Sequence, residues 1–178
     1  MKRLCICIVL LCFILTGCNK KEEYNITERH NEIVEFGETC HYGTTTGLCD
    51  LYYRVYNNNT IEIYGSYDAN GIVIEHVHGL MFDISESTKQ NIINSIMENE
   101  IYVLNENLES GNGSVEESIV LFNEDGSVYK KISGVSPDNL SFVNFRIEFF
   151  NNIDIDDFET GVENVVRNIN NRLQMERY

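Results

Sequence analysis

The sequence predicts an α+β fold: an antiparallel sheet of two hairpins plus an extra strand, packed against two or three helices. Three observations carry it. Two stretches alternate apolar and polar residues with a period of two about asparagine- or glycine-containing turns. Two other stretches repeat apolar residues at helical spacing. Their order along the chain, strands, helix, hairpin, helices, does not alternate strand with helix as a parallel sheet requires.

Asp50 to Ser66 forms the first hairpin. Leu51, Tyr53 and Val55 alternate with Tyr52, Arg54 and Tyr56, Asn57-Asn58-Asn59 tolerates positive φ, and Ile61 and Ile63 resume the alternation. Asp68-Ala69-Asn70-Gly71 turns the chain into an extra strand, Ile72 to Val77, which Gly79 closes. Ser85 to Asn99 reads as a helix with Ile92, Ile93, Ile96 and Met97 on one stripe. Ser87 and Gln90 have capping-box spacing, and Ser85 is a second candidate cap. Ser110 to Ser114 is a glycine-rich loop. Ser118 to Phe122 and Val128 to Ile132 make the second hairpin across Glu124-Asp125-Gly126-Ser127. After a turn at Pro137-Asp138-Asn139, Leu140 to Phe150 reads as a helix, with a strand as the alternative because of its aromatic content. The last helix carries Phe158, Val162, Val165, Val166, Ile169 and Leu173 on one face. Its acids (Asp154, Asp156, Asp157, Glu159) stand at the start and its arginines (Arg167, Arg172, Arg177) toward the end, complementing the helix dipole.

The N-terminus is of a different kind. Met1-Lys2-Arg3 is basic, Leu4 to Leu15 is an unbroken apolar run, and Leu15-Thr16-Gly17-Cys18 follows. The run is shorter than the roughly 20 residues a spanning helix needs and suits the core of an export signal. Residues 1–18 resemble the signal peptide and lipobox of bacterial lipoproteins. That resemblance implies cleavage after Gly17, a diacylglyceryl group on the Cys18 sulfur, and residence on the extracytoplasmic face of the cell membrane. It is silent about activity. The chain then divides into a signal peptide (1–17), a lipidated cysteine with a polar tether (18–30) and a single domain (31–178). Extended, residues 19–30 reach at most about 40 Å.

The chain of 178 residues carries a net charge of -15, and because Lys2 and Arg3 are the only charges in 1–17, the body after Gly17 carries -17. Such a body repels nucleic acid and anionic headgroups and favours a basic partner.

Several residues are candidates for chemistry. Cys5, Cys7 and Cys12 leave with the signal and Cys18 takes lipid, so Cys40 and Cys49 remain to form a disulfide in an oxidising compartment. A ring of that size contributes about 2.5–3 kcal/mol in the chain-entropy account. Tyr52, Tyr53, Tyr56, Tyr64 and Tyr67 cluster in the chain and make a candidate binding face for sugars or a protein. Against it stands ordinary strand packing. His76 and His78 fall two apart on the extra strand, on a face with Ile72 and Ile74, and His41 offers a third imidazole for a transition metal. No H-E-x-x-H or comparable motif accompanies them, so they read first as structural or surface residues. Asn152, Asp154, Asp156 and Glu163 match positions 1, 3, 5 and 12 of a calcium loop, but Asp157 stands where the turn needs glycine, and the acids also suffice as a helix start.

No G-x-S-x-G, phosphate loop or dinucleotide fingerprint is present. The expectation is therefore a non-catalytic, lipid-anchored binding or accessory module without a cofactor. Its partner would be a basic protein, as for an inhibitor or immunity protein that neutralises a basic toxin, or an envelope polymer. The alternative is a small metal-dependent envelope enzyme or metal sensor built on His41, His76 and His78.

Overall fold

The computed structural model describes residues 32–44, 47–69 and 72–175, with side chains for 32–39, 49–68 and 72–175. Within these the fold is α+β. Six strands, β1 (Glu32–Thr44), β2 (Gly47–Tyr56), β3 (Thr60–Ala69), β4 (Ile72–Asp83), β5 (Glu116–Phe122) and β6 (Val128–Val135), form one antiparallel sheet in the order β4-β3-β2-β1-β5-β6. Helices α1 (Glu86–Glu98), α2 (Leu140–Asn151) and α3 (Ile155–Met175) pack on one face of it.

The alternation in β2 decides which face is which. Leu51, Tyr53 and Val55 are fully buried under the helices, while Tyr52, Arg54 and Tyr56 point the other way and are half-buried. Phe36 of β1 anchors the helical side, within 6.3 Å of Phe142, 5.9 Å of Phe149 and 5.2 Å of Phe150. Its three partners sit on α2, which settles Leu140–Phe150 as helix rather than strand: Phe142, Phe145 and Phe149 recur at helical spacing, and Asn139 caps them by accepting from the Phe142 amide. In α1, Ser85 is the cap, accepting from Thr88 N, and Ser87 is not. Asn59, with φ of 65°, takes the left-handed position in the β2–β3 turn.

The fold differs from the sequence reading in two strands. β1, the strand between β2 and β5, is an addition. Glu35 and Glu38 fall on opposite faces of it, and a register shift between Glu32 and Val34 leaves both Ile33 and Val34 buried, so no clean period of two marks it. β4 runs through Gly79 to Asp83 instead of ending there. The glycine is needed for close approach: a Cβ at Gly79 would lie 2.4 Å from the Gly161 carbonyl of α3.

β4 also carries a bulge. The register with β3 shifts between Gly65 and Tyr67, and His76 adopts φ of 45°. This overturns the expectation that His76 and His78 share a face with Ile74. Ile74 turns into the core at 6% exposure, whereas both histidines lie on the face away from the helices.

Both edges of the sheet are partly occupied. Asn164 and Asn168 of α3 donate their side-chain amides to the carbonyls of Gly79 and His78 on β4, at 3.0 and 3.1 Å. Along β6, Ser133 donates to the Glu106 carbonyl, and its own carbonyl accepts from Leu108.

Candidate functional site

The face away from the helices is built from side chains that a protein surface rarely buries. Two rows cross the strands in register. One reads Met81, Glu62, Arg54, Glu35, Val120, Lys131, from β4 to β6. The next reads His78, Tyr64, Tyr52, Gly37, Ser118, Ser133. Neighbours on one face of a sheet stand about 5 Å apart, close enough for each row to interact along its length.

Arg54 is the hub of the first row. Its guanidinium meets Glu35 Oε2 at 2.6 Å, donates to the Tyr64 hydroxyl at 2.7 Å, and lies 5.2 and 5.4 Å from the rings of Tyr64 and Phe122. Tyr64 in turn donates to Glu35 Oε2 at 2.5 Å. Burial works against the Arg54 charge, but the Glu35 carboxylate beside it outweighs this and raises its pKa. Burial and the same carboxylate push the Tyr64 phenol up.

Glu62, 5% exposed, makes a second centre. One oxygen accepts from Tyr56 at 2.7 Å, and the other is shared by His76 Nε2 at 3.1 Å and His78 Nδ1 at 3.3 Å. Burial alone would raise its pKa, but the bonds from Tyr56, His78 and His76 together lower it. The Tyr56 phenol is pushed up to about 12, by burial first and then by the Glu62 carboxylate it donates to.

The aromatic rings form a ladder. Tyr52 stacks on Tyr64 with centroids 5.0 Å apart and planes 23° from parallel, and Tyr64 meets His76 at 4.4 Å and 31°. The ladder ends at Gly37, where a Cβ would stand 2.8 Å from Ser118 Oγ and 3.0 Å from the Tyr52 ring. Beside it lies a cavity of about 210 Å³, reached by Thr39, Asp50, Tyr52, Glu116 and Lys131.

Of the five tyrosines proposed as a binding face, the structure brings Tyr52, Tyr56 and Tyr64 together. Tyr53 and Tyr67 do not belong to it. Tyr53 is fully buried on the helical side, stacked on Phe158 at 5.5 Å with its hydroxyl donating to Glu38, and Tyr67 is 1% exposed in the core. Both are odd-numbered residues of strands whose odd positions face inward, so the alternation separates them from Tyr52 and Tyr64. Glu35, Arg54 and Glu62 were not among the candidates. Arg54 shares the parity of Tyr52 and Tyr56, which is the signal that could have found it.

The histidines meet Glu62 rather than a metal set. Among the described residues no group of three or more His, Cys, Asp or Glu is arranged to hold a metal ion. The His41 side chain lies outside the described residues, as do Cys18, the whole of 1–31 and the Cys40 side chain. The backbone register does place Cys40 opposite Cys49, itself buried. The calcium-loop spacing is a helix start: α3 begins at Ile155, Asp154 Oδ1 accepts from the Asp156 amide, Asn152 ends α2, and Glu163 lies within α3. A helical 155–163 cannot wrap an ion as a twelve-residue loop does.

The helical side has its own surface feature, a groove of about 620 Å³ along α3 past Phe158, Val162 and Val166. The chain matches no protein-family model, and comparison with curated proteins finds no relative.

Proposed function

We propose that the protein is a lipid-anchored binding module at the extracytoplasmic membrane surface, and that it engages its partner through the sheet face away from the helices. The observation that carries this reading is the Tyr52–Tyr64–His76 ladder, held by Arg54, Glu35 and Glu62. Tyrosine and arginine concentrate at the centres of interfaces, because each joins apolar area to directed hydrogen bonds. Here their rotamers are already fixed, so less conformational entropy is lost on binding. The export signal, the lipobox at Cys18 and the acidic body add the setting: a tethered domain meets its neighbours at raised effective concentration, and its charge speeds encounter with basic ones.

Photo-crosslinking in the native envelope tests the reading. A crosslinker at His78 on the ladder face should give a discrete adduct, and one at Glu98 on α1 should not. Cys18→Ser should abolish acyl labelling and the adduct together. Adducts of equal yield from both positions, or normal acyl labelling of Cys18→Ser, would overturn it. The meeting of His76 and His78 at Glu62 favours a second reading, a metal sensor or enzyme that also recruits His41. Metal analysis separates the two: a stoichiometric transition metal whose removal lowers the melting temperature supports the second, and less than one metal per chain supports the first.

A further inference from the structure

The ladder stops at Gly37, and the space left there is where charge and shape converge. The glycine has no side chain to fill the row, so the cavity opens directly over the backbone of β1. Tyr52 forms one wall. One face of its ring is covered by Tyr64, and its Cδ1 and Cε1 atoms come 3.0 and 3.1 Å from where a Cβ of Gly37 would stand. Asp50 stands beside it with a carboxylate oriented by Thr39, whose hydroxyl donates to Oδ1 at 2.6 Å, and by Ser66 at 3.4 Å on Oδ2. Glu116 completes the acidic side, and Lys131 is the cation among the lining residues. Glu38 and Glu117 also border the space. Glu117 is held by Arg146 of α2 at 2.8 Å to each oxygen, and burial, with Glu117 nearby, raises the Glu38 pKa. Among these lining carboxylates, Asp50 and Glu116, two residues along their strands from Tyr52 and Ser118, are the ones that share the face of the ladder.

We propose that this cavity receives one cationic side chain, lysine or arginine, from a protein partner. The proposal rests on the binding-face reading and narrows it to the chemistry of the contact. A cation there is flanked by two carboxylates and lies against a tyrosine ring whose orientation is fixed, the arrangement that favours ammonium and guanidinium groups. At about 210 Å³ the cavity is smaller than the 300–1,000 Å³ of drug-sized sites and suits a single protruding side chain. The strongly acidic body supplies long-range attraction for a basic partner, and the cavity supplies the place where one of its charges docks.

The test is amide NMR of the full chain in detergent micelles, titrated with Nα-acetyl-lysine amide, Nα-acetyl-arginine amide, the neutral Nα,Nε-diacetyl-lysine amide, glucosamine and glucose. The two cationic amino-acid probes should shift Gly37, Thr39 and Ser118 with millimolar dissociation constants, and the diacetylated probe should not. Asp50→Asn and Glu116→Gln should each weaken binding about two- to five-fold, the range of a partly exposed ion pair. Lys131→Gln should tighten it by a similar factor, which no purely structural role of these residues would produce. Tyr52→Phe should keep the affinity and Tyr52→Ala should lower it. Equal shifts from the diacetylated probe, stronger binding of either sugar, or no shift from either cationic probe would overturn the proposal. If the cavity fails while His78 crosslinks as expected, the pocket assignment falls alone and the binding face stands.

Discussion

Replacing Gly161 by alanine sets two effects of opposite sign against each other at the contact that seats α3 on the sheet. An alanine in a helix interior is worth about 1 kcal/mol more than a glycine. A Cβ at Gly161, however, would lie 2.5 Å from Cδ1 of Ile63, 3.0 Å from its Cβ and 3.2 Å from its Cγ1. Ile63 is fully buried, and overpacking of this kind costs about 1–3 kcal/mol. The net expectation for Gly161→Ala is a loss of about 1 kcal/mol, or a fall of about 2–4 °C in melting temperature for a protein of this size. Ile63→Val alone should cost about 0.5–1.5 kcal/mol through lost burial. Together the changes should not add, because valine lacks the Cδ1 atom that makes the worst contact. The double variant should be no less stable than Ile63→Val, giving a coupling of about 1 kcal/mol. Urea denaturation followed by circular dichroism measures all four corners of the cycle. A Gly161→Ala protein stabilised by its full helix-propensity gain, or strict additivity in the double variant, would refute the close approach of α3 to β3.

Arg54→Met should destabilise by about 3 kcal/mol, since it strands the buried Glu35 carboxylate, and Glu35→Gln added to it should recover a large part in the same urea assay. One tyrosine should titrate near 12 in an ultraviolet ionisation curve and vanish in Tyr56→Phe. Its raised folded pKa means the unfolded chain loses that proton first, so this residue's share of stability is lost as pH rises between 10 and 12. Glu62 behaves oppositely. Its folded pKa lies below the ordinary 4.5, so its contribution is present above that value and lost as pH falls through the folded pKa, and Glu62→Gln should flatten the acid limb of a stability–pH curve. Intact mass of exported protein without reductant should lie two hydrogens below the dithiol, given Cys40 opposite Cys49 at a spacing that cross-strand pairs share with disulfides; full alkylation of both would refute the bond.

The first hairpin, α1, the second hairpin and α3 are legible in the sequence because each has one wet and one dry face and therefore one clear period. β1 is not, because burial of Glu35 depends on an arginine in the next strand, and no local pattern encodes a partner 19 residues away. The histidines were visible as a pair, but their orientation was set by a one-residue bulge at His76, which reverses the parity of everything before it in β4. For the site, three of five tyrosines were legible from alternation. The cavity at Gly37 was not, since a missing side chain becomes a feature only when its neighbours in β2 and β5 are known.

The amides that Asn164 and Asn168 lend to β4, and the pairing of residues 106–111 with β6, bear on how copies of this protein coexist. A long strand with unmet carbonyls invites another chain to add itself as the next strand, and does so most where molecules are held side by side. With one end of the sheet tied to its own helix and the other to its own loop, part of each edge is withdrawn from such pairing. An approach in line with the sheet meets, at Gly79 and His78 and along residues 106–111, hydrogen-bonding groups already in use. An approach onto its flat side meets different groups, the rings, carboxylates and guanidinium set in rows, so the two directions of approach to one sheet present unlike chemistry.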